Sequence, residues 1–120
     1  MDGNLSPSQR EVLFAITRRG PVRLSEVAAS EGINPTMLSR IVSHLESAHL
    51  VTRTFDATDA RVVHLSSTDQ GRALCKEIRN ERTDALQSAL GQLSGEQRRV
   101  LLHALPVLES LVETMKSRDQ

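Results

Sequence analysis

The sequence is poor in aromatic residues and has no net charge, and both features narrow what the chain can be. It has two Phe and no Trp or Tyr among 120 residues, so its core must be aliphatic, which favours a helical fold. Fifteen basic residues balance 15 acidic ones, and a neutral chain is an unusual nucleic-acid binder. Residues 1–67 hold seven of each sign and residues 68–120 hold eight of each. Any attraction to a polyanion must therefore come from local placement.

Groups that would indicate export, a membrane or catalysis are also scarce. The single Cys75 cannot form an intramolecular disulfide and is expected to be a buried, inert thiol. Neither a signal peptide nor an apolar run of membrane length occurs, which predicts a cytoplasmic protein with no membrane partner. The four His residues are scattered, and no catalytic triad order, phosphate loop or carboxylate pair stands out. We therefore expect no metal, no cofactor and no enzymatic activity.

Three helix-start patterns occur in the first half of the chain. In each, a side chain that accepts hydrogen bonds precedes a proline or a residue suited to the first helical turn. Each predicted helix also has a stop, which is a glycine or a change to β-branched residues. The predicted caps are Ser6, Ser25 and Asn34, and the predicted ends are Gly20, Gly32 and about Ala48.

Two runs rich in β-branched residues follow these helices. Val51 to Phe55 and Val62 to Leu65 predict a β-hairpin with a long polar tip. Thr68 begins a fourth helix that reaches about Leu90, and a capping box at Ser94 begins a fifth that runs towards Lys116. Pro106 lies inside the fifth helix and is expected to kink it or break its hydrogen-bond ladder at Leu102.

The third predicted helix has one apolar and one polar face. Leu38, Ile41, Val42 and Leu45 follow the spacing of a buried stripe, which turns the opposite face to solvent. That face has short hydrogen-bonding side chains around one arginine, so a DNA major groove could approach closely. Its predicted DNA contacts are Asn34, Pro35, Thr36, Met37, Ser39, Arg40, Ser43 and His44. The alternative is an ordinary solvated helix face.

The predicted hairpin adds three charged residues to this hypothesis. Arg61 at the tip could enter a minor groove next to the groove that holds the helix. Arg53 on the first strand is a candidate phosphate contact, and Asp59 is expected to brace Arg61 by a charge-assisted hydrogen bond. The alternative for Arg61 is a surface arginine paired with Asp59 that does nothing further.

The order and spacing of several short segments resemble the MarR family of bacterial and archaeal regulators. Each segment alone is weak evidence, but their joint order makes the match fairly specific. The resemblance covers about Leu5 to Met115 and rests on Leu24-Ser25-Glu26-Val27-Ala28, Asn34-Pro35-Thr36-Met37-Leu38-Ser39-Arg40-Ile41-Val42, Leu45-Glu46, Leu50-Val51, Asp59-Ala60-Arg61 and Thr68-Asp69-Gln70-Gly71-Arg72.

The resemblance implies a mainly α fold with a small β-hairpin wing. It implies one domain over residues 1–120, with a winged helix-turn-helix lobe at about 6–67 and helical dimerisation segments at about 68–120. It further implies a homodimeric, sequence-specific regulator of transcription, a ligand- or stress-responsive repressor on a pseudo-palindromic site in duplex DNA. Small phenolic or lipophilic effectors, or thiol oxidation, commonly release such regulators.

Two departures from the family pattern bear on these expectations. Family members usually carry a helix before the first one here, and this chain has only residues 1–5 in that place, which predicts a reduced or rearranged dimer. The wing has Asp56-Ala57 where Asp-Pro is common, which predicts a looser tip.

The last predicted helix has an apolar stripe too long for the winged lobe alone to cover. We expect part of it to meet a second subunit, whereas the alternative is packing against the fourth helix alone. The neutral charge supports a different function, a winged-helix protein-interaction module that does not bind DNA. The predicted dimer contacts are Leu101, Leu105, Leu108, Leu111, Val112 and Met115.

Overall fold

The computed structural model describes residues 5–118, and its secondary structure is mainly helical. Five helices and three strands follow one another along these residues. The order is α1 (Pro7–Arg19), β1 (Val22–Arg23), α2 (Leu24–Glu31), α3 (Pro35–Ser47), β2 (Val51–Phe55), β3 (Val63–Ser67), α4 (Asp69–Gly91) and α5 (Gly95–Arg118). The mainly α fold class with a hairpin wing is confirmed.

Two of the three predicted caps in the first half of the chain are present. Ser6 and Gln9 form the reciprocal capping box of α1, and Asn34 Oδ1 accepts the Thr36 N–H at 2.8 Å. The prediction that Ser25 caps α2 is wrong, because α2 already begins at Leu24. The Glu26 side chain instead accepts a hydrogen bond from the Arg23 N–H at 3.3 Å. A carboxylate inside the first turn therefore replaces the expected hydroxyl.

The strands form an antiparallel sheet in the order β1, β3, β2. β2 pairs with β3 from Val51 opposite Ser67 to Phe55 opposite Val63, which makes the predicted hairpin. β1 then pairs on the other edge of β3, with Arg23 opposite His64. The wing is thus joined to the start of α2 by backbone hydrogen bonds.

Packing divides the chain into two compact units, Met1–Glu81 and Arg82–Gln120. In the first unit one mainly aliphatic core joins α1, α2, α3 and the sheet, and it includes Leu74, Cys75 and Ile78 of α4. The burial of Cys75 is as predicted, and its Sγ lies 3.4 Å from Thr17 Oγ1. The first turns of α4 therefore contribute to the core of the first unit.

A close backbone contact fixes the start of α4 against the segment that follows α3. Thr68 Oγ1 donates to the His49 carbonyl at 2.7 Å and accepts the Gly71 N–H at 3.0 Å. A Cβ on Gly71 would lie 2.1 Å from the Leu50 carbonyl oxygen, which is far inside van der Waals contact. Only glycine allows this approach without a shift of the backbone.

In the second unit α5 is a continuous helix that contains Pro106 and begins with the predicted capping box of Ser94 and Gln97. None of its described residues is buried. Leu101 is half-buried, and the other five predicted dimer residues have exposed fractions between 41% and 59%. Packing against α4 alone therefore leaves the α5 stripe largely uncovered.

Candidate nucleic-acid interface

Helix α3 has the two faces that its sequence predicts. Leu38, Ile41, Val42 and Leu45 are buried, and they anchor the helix to the core. This places the polar side chains on the surface, so the short-side-chain face is free to contact another molecule. Most predicted DNA contacts of α3 and its cap are exposed, whereas Ser39 is half-buried; the exposed ones are Asn34, Pro35, Thr36, Met37, Arg40, Ser43 and His44.

The Arg53 side chain binds α3 instead of extending into solvent. Its guanidinium donates to the Ser39 carbonyl at 3.2 Å and to Ser43 Oγ at 2.9 Å. Its Nε also lies 3.4 Å from Glu46 Oε1, as an ion pair without hydrogen-bond geometry. With 22% of the side chain exposed, Arg53 links β2 to α3 over two helical turns.

The turn that follows β2 is closed by Asp56. Asp56 Oδ2 accepts the backbone N–H groups of Thr58 and Asp59, each at 3.1 Å, and the Thr58 hydroxyl at 2.6 Å. Asp56 Oδ1 lies 3.1 Å from His64 Nε2 on the other wing strand. The Thr58 hydroxyl, His64 and the two amides lower the Asp56 pKa well below its ordinary value. These contacts hold the tip of the wing in place. The sequence predicted a looser tip here, because Ala57 stands where the family commonly has proline.

At the far end of the tip, Asp59 holds Arg61 as predicted. Asp59 Oδ1 accepts the Arg61 backbone N–H at 3.0 Å and Nε–H at 3.1 Å, while Oδ2 lies 3.3 Å from one Nη. These hydrogen bonds from Arg61 lower the pKa of Asp59. The Arg61 side chain is nevertheless 91% exposed. The carboxylate therefore orients a guanidinium that extends into solvent.

Sequence reasoning missed two features of this surface. The sequence predicts a short extended segment at Val22-Arg23-Leu24, but not that β1 pairs with β3 and brings Arg23 beside the wing, because so short a segment does not indicate which strand it pairs with. It also did not predict the contact between Asp56 and His64. The available signal was a diagonal position in the predicted hairpin: His64 lies opposite Thr54, and Asp56 follows Thr54 by two residues on the same face.

Neither a metal site nor a membrane span occurs among the described residues. Between residues 5 and 118, no three His, Cys, Asp or Glu side chains are grouped closely enough to hold a metal ion. None of the helices in that range combines the length and apolarity needed to cross a membrane. The exposed face of α3 and the adjoining wing are therefore the main candidate surface.

Three helices, the third of which has an exposed polar face, are followed by a β-hairpin. This combination defines a winged helix-turn-helix protein. A family model described as the MarR family matches residues 5–63. The transcriptional regulator YxaD of Bacillus subtilis is 30% identical over 96 residues, which cover 80% of this chain and 67% of that protein. The chain therefore belongs to the MarR family.

Two further similarities extend over nearly the whole chain. The transcriptional repressor MdtR of Bacillus subtilis is 28% identical over 115 residues, which cover 96% of this chain and 74% of that protein. The crystal structure of Streptococcus pneumoniae FabT in complex with DNA has a TM-score of 0.69 at 20% identity, covering 93% of this chain and 78% of FabT. With its family established, the protein is a DNA-binding transcriptional regulator and not an enzyme.

Proposed function

We propose that the protein is a homodimeric repressor that reads a pseudo-palindromic operator in the cytoplasm, with one α3 helix in each of two successive major grooves. The observation that carries this proposal is the exposed polar face of α3, anchored from behind by a buried apolar stripe. Two such helices need a separation of about one DNA turn, ~34 Å, to engage both half-sites. The similarity to the repressor MdtR supports repression as the direction of regulation.

The individual roles follow from exposure and charge. Arg40 is exposed on the free face of α3 and has no hydrogen-bond or ion-pair partner among residues 5–118, so its guanidinium is available to a base edge. Asn34 and Thr36 lie exposed at the helix start, where the positive end of the helix dipole, the Thr36 hydroxyl and the Asn34 side-chain amide suit a phosphate. Arg61, oriented by Asp59, enters the adjacent minor groove.

Dimerisation is proposed through α5, because its apolar side chains have no cover within the described chain. Five of its apolar side chains are more than 40% exposed: Leu105, Leu108, Leu111, Val112 and Met115. Single exposed apolar residues are normal on a protein surface, whereas a continuous stripe of them marks an interaction site. A second copy of the helix would remove this stripe from water. Release by a small lipophilic or phenolic effector is proposed from the family resemblance alone.

A gel-shift experiment with mixed genomic fragments at low salt tests DNA binding directly. Even non-specific binding should appear there, because phosphate contacts dominate affinity at low ionic strength. Fragments selected by the protein then reveal the operator and its half-site spacing. Absence of any shift would favour the protein-interaction module that the neutral charge allows.

Two substitutions test the assigned roles on a selected operator. Arg61→Ala should weaken binding and reduce the slope of log affinity against log salt by about 1. Arg40→Ala should cost roughly 1–3 kcal/mol and relax base preference at one position. A uniform loss over all sequences would instead make Arg40 a phosphate contact, and an unchanged slope would remove Arg61 from the interface.

A further inference from the structure

A surface groove of about 200 Å³ lies between the start of α2 and the strand that returns from the wing tip. One wall consists of Arg23, Leu24 and Ser25, and the other runs from Arg61 to Val63. The antiparallel pairing of β1 with β3 explains this arrangement, since it sets Arg23 opposite His64. Residues that follow Arg23 must then run beside residues that precede His64. Two arginines far apart in sequence thus line one groove.

The positive charge of this groove is available to a ligand. Arg23 is exposed, and its guanidinium has no hydrogen-bond or ion-pair partner within residues 5–118. Arg61 uses Nε and one Nη for Asp59, which leaves further N–H donors of a planar fork unoccupied. Glu26 accepts a hydrogen bond from the Arg23 backbone N–H, and Asp59 is paired with Arg61.

The chemistry of the groove suits a phosphodiester. Guanidinium groups match phosphate oxygens in charge and geometry, and the Ser25 hydroxyl can donate one more hydrogen bond. The side chains of Leu24, Val62 and Val63 form the rest of the walls, and such apolar surface lowers the local dielectric and strengthens the ionic contact. The groove also adjoins the arginine that is proposed to enter the minor groove.

We propose that Arg23 is a phosphate contact beside the wing, binding the DNA strand that borders the minor groove entered by Arg61. This inference rests on the proposed function and adds the start of α2 to the interface. Arg23 would hold the backbone in place while Arg61 reaches between the strands. Its contribution should be independent of base sequence, because it meets only phosphate.

The test compares Arg23→Gln with Lys76→Gln, which removes one exposed positive charge from α4. Binding to a fragment selected by the wild-type protein is measured over a range of KCl concentrations. We expect Arg23→Gln to reduce the slope of log affinity against log salt by about 0.9 with unchanged base preference, and Lys76→Gln to keep the wild-type slope. Phosphate ethylation interference should lose one position with Arg23→Gln and none with Lys76→Gln.

The outcomes separate this inference from the function on which it rests. A wild-type protein that fails to bind any DNA at low salt would overturn both. If Arg61→Ala lowers the slope and Arg23→Gln does not, the DNA-binding function stands and the role of Arg23 is wrong. Binding of inorganic phosphate to the groove without a change in slope would make it a small-anion site and would likewise overturn the proposed contact.

Discussion

The two units of the chain use apolar residues in opposite ways. All 19 buried hydrophobic residues of the described chain lie between Leu5 and Ile78, within the unit Met1–Glu81. From Arg82 to Arg118 no side chain is buried, and nine of the 11 exposed large hydrophobic residues lie there. The first unit therefore contains the core that stabilises it. The second unit presents apolar surface that becomes stabilising only when something covers it.

The largest effect is expected from a charge placed in the apolar surface of the second unit. Leu108→Glu places a charge in the α5 stripe, and a dimer would have to bury that charge twice without a partner. We expect self-association to weaken by roughly 100-fold or more, since each 1.4 kcal/mol is tenfold. Operator affinity should fall with it. Sedimentation equilibrium gives the first quantity and gel shifts give the second.

Ser110→Asp on the same helix is the matched control, because Ser110 lies outside the apolar stripe and is already exposed. It should leave self-association near the wild-type value. Equal association of wild type and Leu108→Glu would show that the α5 stripe is not the interface, and a monomeric wild-type protein would remove the homodimer from the proposal.

Two glycines of α4 allow the two units to be compared within one helix. Gly71→Ala forces a Cβ against the Leu50 carbonyl, so we expect a loss of about 1–3 kcal/mol in the free energy of unfolding. Gly91→Ala meets no atom within 4 Å and should be neutral or slightly stabilising, since alanine favours a helix. Urea unfolding measures both. Equal effects would mean that the close contact at Leu50 relaxes without cost.

Arg53→Ala tests whether the wing and α3 act as one rigid unit. Loss of the contacts to Ser39, Ser43 and Glu46 should lower stability by roughly 1–2 kcal/mol and weaken operator binding. If Arg53 only positions the helix, the salt dependence of binding stays at its wild-type slope. A slope reduced by about 1 would instead restore Arg53 as the phosphate contact that the sequence predicted.

The smallest effect is expected at the wing tip, where Asp56 contributes stability that depends on pH. Because folding lowers its pKa below the ordinary value of 3.8, this contribution is fully present above about pH 4. It is lost as the pH falls through the folded value. Asp56→Asn should therefore be less stable than wild type at pH 7, and the difference should shrink at pH 3. A difference that stays constant with pH would rule out this role for the carboxylate.

Much of the first unit could be predicted because its signals are local. The caps at Ser6 and Asn34, the left-handed Gly32 and the buried stripe of α3 each depend on a few neighbouring residues. The wrong cap at Ser25 shows the limit of such signals, because a serine after an extended segment fits the pattern of a cap whether or not the helix has already begun. Caps reveal where a helix can start, and tertiary packing decides where it does.

The contacts of the interface were harder to predict because they join distant residues. Nothing around Arg53 indicates that it would reach the carbonyl of Ser39, since that depends on the angle between β2 and α3. The groove at Arg23 depends on a strand of two residues. In α5 the apolar spacing was legible from the sequence, but that spacing does not identify the surface that covers it.

The attachment of Arg53 to α3 limits how the DNA preference of this protein can be redesigned. A recognition helix transplanted from a relative would bring new side chains at the positions of Ser43 and Glu46, and both are anchor points for the wing. A graft that preserves these two residues should retain the position of the wing relative to the helix. One that replaces them would alter two parts of the reading surface at once, and altered specificity would then be hard to separate from a displaced wing.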